Sequence, residues 1–329
     1  MKVLVGLDIG GTKCAVSIGV PSENTINIKC KEKFPTPEQP SETIQLMMDT
    51  LDKLLVKHDL VNNVAAIGIS CGGPLNSKEG VILSPPNLKN WNRVKIVQIF
   101  KRKYTVPVGL QNDANACALA EWKWGNGRGC QNLVFLTFGT GMGAGLILNG
   151  NLYEGKNDMA GEVGHIRLAN EGPIGFGKMG SFEGFCSGGG IAQLAKAHAE
   201  KLISDGNPAK YCQTFEDVGL ITAERVGTFA KQGDHEAINI FHKVGEYLGL
   251  GLSIIIDMLN PDKIILGSIY LRQSELLEPS MRKVVSKEAL ELSASSCKIE
   301  PAGLGERIGD YASLSVALNL LERDHGYAK

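Results

Sequence analysis

The chain has 329 residues, a net charge of −1 and a hydrophobic share of 43%. That length predicts two domains rather than one core. The near-neutral balance carries no nucleic-acid footprint, and no apolar stretch reaches the length of a bilayer span.

Residues 1–20 predict two strands around the turn Asp8-Ile9-Gly10-Gly11-Thr12-Lys13. A third strand is expected over 26–34. Pro35, Pro37 and Pro40 mark a loop, and Ser41-Glu42-Thr43 opens a helix to about residue 58. Residues 64–70 read as a buried strand, ended by Gly72-Gly73-Pro74, and residues 80–83 as a short one. A strand over 106–111 feeds Asn112-Asp113 and a helix over 114–123. Two more apolar runs, 133–138 and 145–148, flank Gly139-Thr140-Gly141-Met142-Gly143. The glycine-dense stretch 160–190 predicts an irregular, functional loop region. Helices over 191–204 and 236–259, a strand over 263–267 and a closing helix over roughly 310–321 complete the chain. Strands alternating with helices around apolar runs give the α/β class.

No secretory leader precedes the first strand, so a cytoplasmic protein with reduced thiols is expected. The eight cysteines contain no C-x-x-C pair. A cysteine-built zinc site is therefore not expected.

The two glycine-rich turns carry most information. Glycine lets backbone N–H groups approach an anion closely, and two such tips half a chain apart suggest two lobes closing on one phosphate chain. No G-x-x-x-x-G-K-[ST] is present, which excludes a P-loop. Residues 139–144 match G-x-G-x-x-A by letter, but that dinucleotide fingerprint needs a helix after the turn, and a strand follows here. Two ordinary hairpins remain the plain alternative. Asp8 before the first turn, and Thr12 and Lys13 after it, add a Mg²⁺-directed carboxylate and phosphate donors.

Asp113 follows a strand's C-terminal end, where α/β ligand sites open. It is either a helix N-cap or a general base that accepts a proton as a hydroxyl attacks a phosphate. Asn112 beside it can orient a sugar by donating and accepting hydrogen bonds. Glu162-Val163-Gly164-His165 has metal-pair spacing for a helix. Gly161 and Gly164 argue against helix, leaving a turn that faces vicinal hydroxyls or a purely structural loop. Glu183 is a further polar candidate.

In this order, Asp8-Ile9-Gly10-Gly11-Thr12-Lys13, Asn112-Asp113-Ala114-Asn115-Ala116, Gly139-Thr140-Gly141-x-Gly143 and Ala160-Gly161-Glu162-Val163-Gly164-His165 resemble the ROK family of repressors, open reading frames and sugar kinases. So do Leu259-Asn260-Pro261-Asp262-Lys263-Ile264-Ile265-Leu266-Gly267 and Pro301-Ala302-Gly303-Leu304-Gly305. The resemblance covers nearly the whole chain. It implies a two-lobed, actin-like (ribonuclease H-like) α/β ATPase fold with a mixed sheet in each lobe and the active site in the cleft. The small lobe is expected over 1–115 plus 310–329, and the larger one over 116–309.

Carried over by residue, the resemblance implies that Asp8 positions Mg²⁺ and that Gly10, Gly11, Thr12 and Lys13 line one side of the ATP phosphates. Gly139, Thr140 and Gly141 line the other, with Gly267 near the adenosine. Asp113 is the implied catalytic base. Gly72, Asn87, Asn112, Glu162, His165 and Glu183 are the implied sugar contacts. The implied activity is ATP-dependent phosphorylation of a hexose, glucose first. N-acetylmannosamine, N-acetylglucosamine and fructose are the other acceptors. A homodimer with no nucleic-acid or membrane partner is expected.

Two departures stand out. Gly175, Gly177 and Ser181 replace the family's zinc cysteines, so no Cys₃His zinc site can form from them. Ser268 follows Gly267 where the family usually continues with glycine, which adds bulk near the adenine pocket. Two readings of other classes remain: a sugar-responsive regulator, for which no preceding DNA-binding domain is read, and a non-catalytic sugar-binding protein.

Overall fold

The computed structural model describes residues 2–22 and 25–326. The elements, in chain order, are β1 (Val3–Ile9), β2 (Lys13–Pro21), β3 (Ile26–Pro35), α1 (Pro40–Lys57), β4 (Val64–Cys71), β5 (Leu75–Asn76) and β6 (Val81–Ile82). Next come α2 (Ile96–Lys103), β7 (Val108–Asn112), α3 (Asp113–Trp124), β8 (Leu133–Phe138), β9 (Met142–Leu148) and β10 (Asn151–Leu152). After these follow β11 (Ile174–Gly175), β12 (Lys178–Met179), α4 (Phe182–Phe185), α5 (Gly188–Ser204), α6 (Ala223–Lys231) and α7 (His235–Leu259). The last are β13 (Lys263–Leu266), α8 (Ile269–Glu288), α9 (Glu291–Ser296), β14 (Lys298–Pro301) and α10 (Ile308–Gly326).

The chain forms two compact units. The first comprises residues 1–131, 145–160 and 306–329, and the second residues 132–144 and 161–305. The expected boundary at 115/116 falls inside α3 and is corrected by this division. The reason is packing: Ser315 of α10 donates through Oγ to the Ala116 carbonyl at 2.9 Å. Residues 116–131 are thereby held in the first unit.

The first unit is built on a mixed sheet of order β3-β2-β1-β4-β7. β1, β2 and β3 pair antiparallel, while β4 and β7 run parallel to β1. Val3, Val5, Leu7 and Ile9 of β1 are buried, as a central strand requires. α1 buries Ile44, Met47, Met48, Leu51, Leu54 and Leu55, an i, i+3, i+4, i+7 stripe, into the same core as β1. α10 lies directly on the sheet. A Cβ on Gly68 of β4 would stand 2.1 Å from the Ser313 carbonyl oxygen, so only glycine permits that approach.

In the second unit β8, β13 and β14 are parallel neighbours, and β9 opens beside β8 before running on into the first unit. α7 carries a long apolar stripe, including Phe241, Val244, Leu248, Leu252 and Ile256, all fully buried. Asp234 caps its start by accepting the Glu236 amide at 3.2 Å, and Asn260 ends it in the left-handed conformation. The expected irregular stretch 160–190 contains a 3₁₀ turn at Val163–His165, the β11–β12 hairpin and the short helix α4. No helix among the described residues is long and apolar enough to cross a membrane.

Candidate active site

In the first unit, parallel pairing aligns the carboxyl ends of three strands. Ile9 of β1 pairs with Cys71 of β4, and Cys71 pairs with Asn112 of β7. Asp8 is therefore two strands from Asn112 and Asp113, on the edge where α/β ligand sites open. The Asp8 carboxyl is half-buried and its pKa is pushed up to about 6. Burial is the main cause and the Asp113 charge the second, with Lys31 and Lys33 pulling the other way.

The β1–β2 turn is held from behind. The Gly10 amide donates to the Lys13 carbonyl at 3.2 Å, Thr36 Oγ1 donates to the Gly10 carbonyl at 2.7 Å, and the Thr36 amide to the Thr12 carbonyl at 3.0 Å. Gly11, Thr12 and Lys13 are exposed. The amides of Gly11 and Thr12 make no backbone hydrogen bond among the described residues. Asn87 packs against this turn, since a Cβ on Gly11 would lie 2.5 Å from the Asn87 carbonyl oxygen. Gly72 follows β4, with open space where a Cβ would be.

Asn112, not Asp113, is the N-cap of α3: its Oδ1 accepts the Asn115 amide at 2.7 Å. This corrects the capping alternative for Asp113, which is the first helical residue. The cap occupies one acceptor position on Asn112 Oδ1. Asp113 Oδ1 accepts the Ala114 amide at 2.8 Å. The Asp113 side chain is open to solvent, yet protein surrounds it closely enough that desolvation dominates and lifts its pKa. The Ala114 N–H opposes that rise.

Behind Asp113 runs a polar chain that sequence reasoning missed. Buried Asn115 donates to Gln111 Oε1 at 3.1 Å, Gln111 donates to Glu154, and Ser77 Oγ bonds Asp158 at 2.5 Å and Glu154 at 3.5 Å. Partners 43 to 81 residues apart leave no local signal.

In the second unit, the β8–β9 turn closes with the Gly139 amide donating to the Gly141 carbonyl at 3.1 Å. The Gly143 amide donates to Thr137 Oγ1 at 2.9 Å. Glu183, in the first turn of α4, accepts the Met142 amide on Oε2 at 3.0 Å. The Glu162–His165 segment is pressed onto β9. The Ala144 amide donates to the Gly161 carbonyl at 2.8 Å, and a Cβ on Gly164 would lie 2.1 Å from the Met142 carbonyl oxygen. The segment is a 3₁₀ turn rather than a bare loop, with Glu162 and His165 both exposed. Lys178 Nζ donates to the His165 carbonyl at 2.7 Å, and Arg167 to the Met179 carbonyl at 2.7 Å. Ser181 caps α4 by accepting the Gly184 amide at 3.1 Å.

A cavity of about 1100 Å³ opens beside this turn, lined among others by Gly139, Thr140, Gly188, Thr222, Ser268 and Ile269. Gly267 ends the β13 pairing next to it, and the Ser268 hydroxyl lies 3.5 Å from a Cβ position on Gly139. Gly188 was missed by sequence reasoning. Its signal was Ser187-Gly188-Gly189-Gly190, a glycine run that opens α5 behind the Ser187 cap. The Gly188 amide donates to the Gly139 carbonyl at 2.8 Å.

Residues 4–318 match the ROK family. The chain belongs to the ROK family. It is 29% identical over 293 residues to a glucokinase of Streptomyces coelicolor, with 86% of this chain and 87% of that protein covered. It is also 29% identical over 272 residues to a xylose repressor of Caldicellulosiruptor bescii, covering 82% of this chain and 67% of the repressor. Among solved structures, it is similar to a ROK family glucokinase from Streptomyces griseus in complex with glucose and AMPPNP. The TM-score is 0.73 at 26% identity, over 96% of this chain and 99% of that one. The two-unit mixed α/β fold with a mixed sheet thus agrees with the family's kinase structures.

Proposed function

We propose that this protein is an ATP-dependent hexose kinase, with glucose as the first acceptor to test. The observation that carries the reading is the pair of carboxylates Asp8 and Asp113, at the ends of β1 and β7 on either side of β4, with the Asp113 charge raising the Asp8 pKa. The kinase relatives support it.

A magnesium ion fits the donors on this edge. Mg²⁺ takes one or two carboxylates and fills its shell with phosphate oxygens and water, so a dedicated protein cage is not needed. Asp8, half-buried and raised in pKa, is the residue that would hold it. When bound, the ion neutralises charge on the transferring phosphoryl group.

In this reading, the exposed amides of Gly11 and Thr12, Lys13, and the turn at Gly139–Gly141 cradle the ATP phosphates. The sugar is oriented by Asn112 Nδ2, Asn87, Gly72, Glu162, His165 and Glu183. The sugar hydroxyl oxygen forms a bond to the γ-phosphorus as the bond from that phosphorus to the β–γ bridging oxygen breaks, releasing ADP. The hydroxyl proton passes to Asp113, whose carboxylate is made more basic by desolvation. Phosphorus NMR of the purified protein with Mg-ATP and glucose tests this. A new sugar phosphate ester is the expected product.

The similarity to a xylose repressor supports a second reading, a sugar-binding regulator without turnover. That reading gains if sugar and nucleotide bind and no phosphate ester forms.

A further inference from the structure

We infer that Glu183 is a positioning residue for the nucleotide: its carboxylate holds the second glycine turn in the shape that receives the phosphates. The inference rests on the kinase reading and adds a role to Glu183 beyond contact with the sugar.

Three observations carry it. First, Glu183 Oε2 accepts the amide of Met142, the residue that leaves the Gly139–Gly141 turn, at 3.0 Å. A hydrogen bond to a charged acceptor is among the stronger ones a backbone amide can make. Second, the carboxylate has a fitted seat. A Cβ on Gly141 would stand 2.8 Å from Oε2, one on Gly164 3.3 Å from the Glu183 Cβ, and one on Gly175 2.9 Å from it. Three segments give up side-chain volume around this one residue. Third, the residue is fixed from its own side: Ser181 caps α4, and the Phe182 amide donates to the Ile166 carbonyl at 2.8 Å. The brace therefore ties the segment bearing His165 to the turn bearing Thr140. Oε1 makes no hydrogen bond among the described residues and stays available to a sugar hydroxyl.

A residue that only binds sugar has no effect on nucleotide binding when sugar is absent. The test is therefore calorimetric titration of AMPPNP with Mg²⁺ and no sugar, on wild type, Glu183→Ala, Glu183→Asp, Glu183→Gln and His165→Ala. Loss of a charge-assisted bond predicts affinity lowered about tenfold or more in Glu183→Ala. Glu183→Asp, one methylene too short to reach Met142, is expected to lose a similar factor while keeping the charge. Glu183→Gln keeps an acceptor oxygen at the same reach and recovers most of the affinity. His165→Ala binds nucleotide as wild type does. The aspartate and glutamine variants keep the test meaningful if Glu183→Ala fails to fold. Wild-type affinity in both Glu183→Ala and Glu183→Asp overturns the inference and leaves the kinase reading standing. No nucleotide binding by wild type overturns both.

Discussion

Asp8 and Asp113 sit on the same sheet edge with β4 between their strands, and the Asp113 carboxylate raises the cost of charging Asp8. Asp8 at the end of β1 reaches a pKa of about 6, with the Asp113 charge as the second cause after burial. Two carboxylates on one edge with displaced pKa values separate two tasks. In the proposed kinase reading, Asp8 meets a cation and Asp113 accepts a proton.

Removing the proton acceptor tests the second task. Asp113→Asn keeps the shape and the bond from the Ala114 amide but cannot take a proton. Turnover is expected to fall about a thousandfold, the usual scale for a positioned base. Nucleotide binding, followed by calorimetry, should survive. Wild-type turnover in this variant would contradict the assignment.

The raised Asp8 pKa also makes a stability prediction. The folded protein holds this proton up to about pH 6, whereas the unfolded chain releases it near 3.8. The folded state binds more protons across that window, so Asp8 contributes stability below pH 3.8 that is lost as pH rises through about 6. The shift sets an upper scale of roughly 3 kcal/mol. Asp8→Asn should therefore unfold at higher urea than wild type at pH 7.5, and the gap should close near pH 4. A gap independent of pH would refute the coupling.

Lys178 offers a third test. Its ammonium holds the His165 carbonyl, so Lys178→Ala frees the segment without removing any implied sugar contact. The sugar KM should rise several-fold with kcat little changed, and Lys178→Arg should restore most of it. An unchanged KM in steady-state kinetics would remove Lys178 from the account.

Ser268 carries backbone strain. Its φ of 51° and ψ of −108° lie in a region that only glycine enters freely. Ser268→Gly should raise thermal stability by about 1 kcal/mol, the low end for such strain. A melting temperature that falls would contradict this.

Most of the first unit was legible because its signals are local. The apolar run before Gly10 and the one after Lys13 are β1 and β2, and the stripe after Pro40 is α1. α7 was visible as a long apolar pattern ending at Asn260. What stayed hidden depends on distance or on conflicting local signals. α8 was not expected. It contains Pro279 and a non-helical Gln273, and both weaken a helical pattern. The cap of α3 was ambiguous between Asn112 and Asp113 until the Asn115 amide was seen on Asn112. The bond between Glu183 and Met142 spans 41 residues and leaves no periodic trace. The boundary at Gln131 follows from α10 returning to α3, a contact between distant segments.

The most direct test of the central claim is a coupled ADP-release assay with Mg-ATP across hexoses and N-acetylhexosamines, with a no-sugar control. The account predicts turnover on one sugar, glucose first, and near silence without sugar. Silence on every sugar, with ATP still bound, would contradict it and favour a sugar-binding regulator.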